Sequence, residues 1–156
     1  MTPEVLLAGV LCVALVVYAL TGGADFGGGV WELFASGPRG REQRSAISTA
    51  VAPIWEANHV WLILAVVILF VGFPQAFAAI SIALHIPITL LLVGIVLRGA
   101  AFAFRSYDIG DGSDGRIRRW SAVFAIASTV SPVMLGICAG AVASGEMTID
   151  PATGQV

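Results

Sequence analysis

Three stretches of this chain contain no Asp, Glu, Lys or Arg: Val5 to Ala24, Ala57 to Leu97, and Trp120 to Gly145. A bilayer core takes about 20 apolar residues as one helix. The outer stretches therefore fit one span each and the middle one fits two, with Gly72-Phe73-Pro74 as a tight turn between them. Of the 156 residues, 58% are hydrophobic and 12% charged, against about 25% charged in a soluble domain. Too little polar surface remains to wrap a water-facing globule. The first stretch is not read as a cleavable signal, because Glu4 stands where a basic region is needed.

The predicted fold is an all-α, integral membrane four-helix bundle over residues 1–144, with helices at about Pro3 to Phe34, Ser45 to Phe73, Pro74 to Arg105 and Ile117 to Ser144. Ala35 to Arg44 and Ser106 to Arg116 are polar links. Residues 145–156 read as a polar external tail, the start of a loop towards a missing second bundle. Arg39, Arg41 and Arg44 sit in the first link, and Arg105, Arg116, Arg118 and Arg119 flank the third; there is no Lys. Basic residues favour the cytoplasmic side, which puts both termini outside, with Trp31 and Trp120 near the cytoplasmic interface.

Several chemistries are excluded. Cys12 and Cys138 are single, offer no metal spacing, and read as buried packing. No basic stripe with interleaved aromatics suggests nucleic acid. The Gly22–Gly29 run, which includes Ala24, Asp25 and Phe26, follows no strand and leads into no GxxxxGK[ST], so it is not a phosphate loop. Gly23 and Gly27 have the GxxxG spacing that lets helices approach closely, and close packing beside Asp25 is expected, with a local helix break as the second reading.

The second predicted helix carries the main anomaly. Its purely apolar part, Val60 to Phe73, covers 14 residues, about 21 Å of helix against a core of about 30 Å. The helix must start upstream and draw Trp55, Glu56, Asn58 and His59 to membrane depth. Glu56 and His59 share a face, and an ionisable residue in a span marks function by default; the plainer reading is a surface acid at the headgroups. Ignoring tilt, Glu56 lies about 25 Å from the outer end, Asp25 about 30 Å and Arg98 about 36 Å. Two readings fit this staircase: a proton relay with water between steps, or a structural cluster in which Arg98 neutralises both carboxylates. His85, beside Pro87, reads as a hydrogen-bonded packing histidine, since two histidines at different depths make a poor haem pair. Pro53 and Pro87 are expected to kink their helices and free carbonyls.

Ala24-Asp25-Phe26-Gly27-Gly28-Gly29 with Trp31, followed by Pro53-Ile54-Trp55-Glu56-Ala57-Asn58-His59-Val60-Trp61-Leu62-Ile63, resembles the two signature stretches of cytochrome bd quinol oxidase subunit II. Arg98-Gly99-Ala100-Ala101-Phe102-Ala103-Phe104-Arg105 resembles a third. The likeness covers essentially the whole chain, and the W-E/D-x-N-x-V-W-L-I stretch is its most specific part.

The resemblance implies a non-haem subunit of a bacterial inner-membrane complex that oxidises quinol and reduces O2 to water. Haems b and d belong to the partner, subunit I, and this chain holds no cofactor or metal. Glu56 and Asp25 take the places of the family's acids, Glu56 on a cytoplasmic proton route, with Arg98, His59 and Asn58 as polar support. Trp61 lies where an O2 path is proposed. Ala103 stands where relatives commonly carry an acid, and His85 where they often have an aromatic. Relatives have a second bundle, so a separate chain or truncation is implied. The other readings are a small stand-alone transporter with a carboxylate ion site at Asp25 and Glu56, and a non-catalytic half-subunit.

Overall fold

The computed structural model of the protein describes residues 2–107, 114–145 and 147. They form five helices: α1 (Pro3–Phe34), α2 (Gly40–Gly72), α3 (Pro74–Ala83), α4 (His85–Tyr107) and α5 (Asp114–Ser144). Among them, Pro3–Phe34, Gly40–Gly72, His85–Arg105 and Gly115–Ser144 are long and apolar enough to cross a membrane. The fold is the expected all-α bundle of four candidate spans.

The predicted third helix is divided at Leu84 into α3 and α4. Pro87 is the cause: it has no N–H for the carbonyl of Ala83, and its ring crowds that carbonyl. The hydrogen bonds on either side persist, Leu84 N to Ile80 O and Ile88 N to Leu84 O, both 2.9 Å. The break is thus a kink in one span. Pro53, by contrast, sits inside an unbroken α2. That helix starts at Gly40 rather than Ser45, because Gly37, at φ 75°, closes the turn early and Arg44 donates to the Ala35 carbonyl at 2.6 Å. Of the predicted tail, only Gly145 and Met147 are among the described residues.

Packing follows the membrane rule in which small and polar side chains meet inside and large aliphatics face lipid. Leu20 is 73% exposed and Val71 72%, whereas Ala14, Ala101, Phe124, Ser128 and Ser131 are all at 1% or less. Cys12 is exposed and Cys138 half-buried, so the buried-packing expectation is corrected for Cys12, which lies on the outside of α1, and Cys138 is only partly packed.

Helix register follows from where glycines lie close to neighbours. Leu7 meets Gly72, Gly22 meets Asn58, and Gly28 meets Val51, so α1 and α2 run antiparallel. Gly94 meets Ser131 on α5, and α4 and α5 form a second antiparallel pair. Gly29 against Ser128 and Phe124 joins the two pairs through α1 and α5. In this arrangement α1 and α4 run parallel on opposite sides of the contact. The other links return the chain so that every arginine except Arg98 falls at one end of the bundle.

Candidate functional site

Parallel α1 and α4 bring matching charges into register. Asp25 and Glu32 are seven residues apart on α1, as are Arg98 and Arg105 on α4. Seven residues are almost two turns, so each acid meets its own arginine. Arg98 Nη1 donates to Asp25 Oδ2 at 2.8 Å, and Nη2 donates to Oδ1 and, at 3.0 Å, to the Asp25 carbonyl. Its Nε donates to Ser128 Oγ at 2.8 Å. The guanidinium also lies over Phe26 at 4.6 Å and Phe124 at 5.0 Å from the ring centres, where the ring quadrupole favours a cation.

Asn58 completes this layer. Its Nδ2 donates to Asp25 Oδ2 at 3.2 Å, and its Oδ1 accepts from Thr21 Oγ1 at 2.8 Å. The single Thr21 hydroxyl hydrogen can instead turn to the Val17 carbonyl, also at 2.8 Å. Asp25, Asn58 and Arg98 are each at most 2% exposed. Charges this deep persist only when paired and further hydrogen-bonded, which this layer achieves.

The second layer was missed in the sequence. Arg105 Nη1 donates to Glu32 Oε2 at 2.9 Å, with Glu32 3% exposed. Arg105 also lies over Phe124, at 5.3 Å, so one phenyl ring serves both guanidiniums. Glu32 Oε1 and the hydroxyls of Ser121 and Ser131 find no protein partner among the described residues. The shared seven-residue spacing of the acids and arginines was the available signal. Reading Arg105 only as a topology marker concealed it.

Glu56 does not join Arg98. It is exposed on α2 and takes no part in the Asp25 network, so the cluster reading is corrected to one carboxylate, Asp25. The staircase also flattens. Gly22 opposite Asn58 and Gly28 opposite Val51 put Glu56 at the level of Asp25, and Arg98 touches Asp25. Helix-rise counting failed because it ignored both the kink at Leu84 and the reach of an arginine side chain.

The glycine run forms a continuous part of α1. Its close approaches are made by Gly22, Gly28 and Gly29, while Gly23 and Gly27 face open space. The GxxxG expectation is corrected accordingly: at 100° per residue Gly23 and Gly27 point away from the face that carries Asp25. They line a shallow groove with Ala24, Trp31, Ala50 and Ile54.

His59 is half-buried, its ring 6.0 Å from that of Trp55; Trp55 in turn stacks on Phe102 at 5.4 Å. A cavity of about 10 Å³ lies beside it, lined by Tyr18, Asp25, Asn58, His59 and Arg98 among others. His85 is exposed at the kink, its Nδ1 3.0 Å from Ile82 O; it is hydrogen-bonded as expected but not packed inside. Trp61 is half-buried and Ala103 exposed.

These features define a class: a membrane-spanning helical bundle whose core is tied by buried acid–arginine pairs, with a further carboxylate held on its outer face. The sequence pattern of cytochrome bd terminal oxidase subunit II matches residues 3–154. The chain belongs to that family. It is 32% identical to cytochrome bd-I ubiquinol oxidase subunit 2 of Escherichia coli K12 over 141 residues, 90% of this chain and 35% of the relative. Against cytochrome bd ubiquinol oxidase subunit 2 of Bacillus subtilis, identity is 33% over 116 residues, 74% of this chain and 32% of that protein. The chain thus spans about a third of the length of the curated relatives it matches. Family membership disfavours the stand-alone transporter.

Proposed function

We propose that this chain is part of the non-haem subunit of a bd-type quinol oxidase in the bacterial inner membrane, packed against a haem-bearing subunit and supplying a proton route. The observation that carries this reading is the exposure of Glu56. It lies on a helix apolar enough to span a membrane, level with the buried Asp25 layer, and the bundle itself does not cover it. A carboxylate facing hydrocarbon is costly, so the α2 face that bears it is the face a protein partner covers. The names of the relatives, quinol oxidase subunits, supply the chemistry of that partner.

Within the complex, quinol gives up electrons and protons, and O2 takes up electrons and protons to become water. Glu56 contributes an exchangeable proton at the subunit boundary, with Asn58 and His59 on the next turn. Asp25 and Arg98 hold α1 against α4 so that α2 keeps its register. Trp61, further along α2, borders the O2 path in this reading. Membership of the cytochrome bd subunit II family supports assigning the haems b and d to the partner. The arginine-rich end faces the cytoplasm and both termini lie outside. The haem-bearing subunit, with any second bundle, covers the Glu56 face.

Glu56→Gln tests the proton role. In complex purified through this chain, quinol-driven O2 consumption is expected to fall while haem absorbance and assembly are retained. Turnover equal to that of the parent would remove Glu56 from the route.

A further inference from the structure

We propose that His59 is a proton-carrying residue that loads Glu56, its ring held in place by a single water in the cavity between α1, α2 and α4. This rests on the Glu56 route above and adds a residue to it.

The cavity measures about 10 Å³. That is the space one water occupies, and a buried water requires two to four polar partners. Tyr18 and Asp25 come from α1, Asn58 and His59 from α2, and Arg98 from α4. Three of these five already bond one another. The Tyr18 hydroxyl, in a residue only 4% exposed, and the His59 ring have no protein hydrogen bond among the described residues. Both therefore remain available to a water that also reaches the Asp25 layer.

His59 spans two environments. One side of its ring borders this cavity, and its half-buried edge shares a helix face with Glu56, three residues earlier. The charged and titratable groups facing it are Tyr18 and Asp25 from α1, Arg98 from α4, and Glu56 on its own helix; α5 contributes nothing to the cavity wall. Asp25 and Arg98 cancel, so a protonated ring meets no net positive charge. Histidine changes charge in the physiological range and has two distinct nitrogens. In the step proposed, the ring nitrogen on the Glu56 side takes a proton from a hydronium ion of the water on that side, whose O–H breaks as the N–H forms. The N–H of the other nitrogen stays bonded to the cavity water, which fixes the ring. The newly gained proton then passes to the Glu56 carboxylate as its N–H breaks and an O–H forms, which returns the ring to neutral.

The test uses the whole oxidase complex, with quinol-driven O2 consumption measured against pH in H2O and D2O. In His59→Gln the amide fills much of the space and can bond the water but takes up no proton. Turnover is expected to drop about tenfold or more, the solvent isotope effect to rise, and the pH profile to lose an inflection, with haem absorbance unchanged. A histidine of purely structural value would leave the pH profile and the isotope effect alone. Parental behaviour of His59→Gln alongside a slowed Glu56→Gln would overturn the proposal and leave the Glu56 route standing; parental behaviour of both would overturn both. Should His59→Gln fail to assemble, Tyr18→Phe carries the test. Removing that hydroxyl loosens the water, so a raised isotope effect is expected, and an unchanged one overturns the proposal.

Discussion

Arg98 shows how one side chain can organise a bundle core. Its donors go to Asp25 and Ser128, and its guanidinium lies against the rings of Phe26 and Phe124. Its net contribution relative to an apolar replacement is small, since desolvating two charges offsets their attraction. Removing one partner is different, because it strands the other. Arg98→Ala is expected to destabilise the protein by about 3–5 kcal/mol, read as a lowered thermal midpoint in detergent. Adding Asp25→Ala should recover part of that loss, because the stranded carboxylate goes with it. A double variant no more stable than Arg98→Ala would show that the pair does not act as a unit. Arg98 and Asp25 stood out in the sequence as charges inside apolar runs. That they bind each other, and leave Glu56 aside, depends on contacts between residues 73 positions apart.

At the scale of helices, α1 presents two faces with opposite demands. Gly29 allows α5 to approach so closely that an added methyl would strike the Ser128 side chain. Ser128 cannot simply turn aside, since its hydroxyl accepts from Arg98. Gly29→Ala is therefore expected to cost about 1–3 kcal/mol, the usual penalty of overpacking. Gly23→Ala, which meets nothing within 4 Å, should leave the midpoint unchanged or raise it, as alanine favours helix. Equal effects at the two positions would contradict this division of faces. Glycine spacing in the sequence marked Gly23 and Gly27, yet the neighbours lie against Gly22, Gly28 and Gly29. A GxxxG pair specifies a stripe on a helix and carries no information on whether anything packs there.

For the whole molecule, the up-and-down path collects Arg39, Arg41, Arg44, Arg105, Arg116, Arg118 and Arg119 at one end. If that end is cytoplasmic, Ser36→Cys in the exposed first link should react with a membrane-impermeant maleimide only after cells are permeabilised. Labelling of intact cells would invert the orientation. The large aliphatics around the outside need lipid or partner helices, and Glu56 among them needs a partner. The surface thus divides into faces that lipid satisfies and one that it does not.

Span number and boundaries near either end, the acids and arginines within the spans, and the family all follow from residue order alone. Uninterrupted apolar length and short charged links dictate them locally, because a bilayer admits backbone only as hydrogen-bonded helix or closed barrel. The tertiary structure alone decided which carboxylate Arg98 neutralises, that Glu32 and Arg105 form a second layer, which glycines are in contact, and that His59 borders a water-sized cavity. Each of these depends on the relative rotation and register of helices distant in sequence. Side-chain packing sets those quantities, and no single helix encodes them.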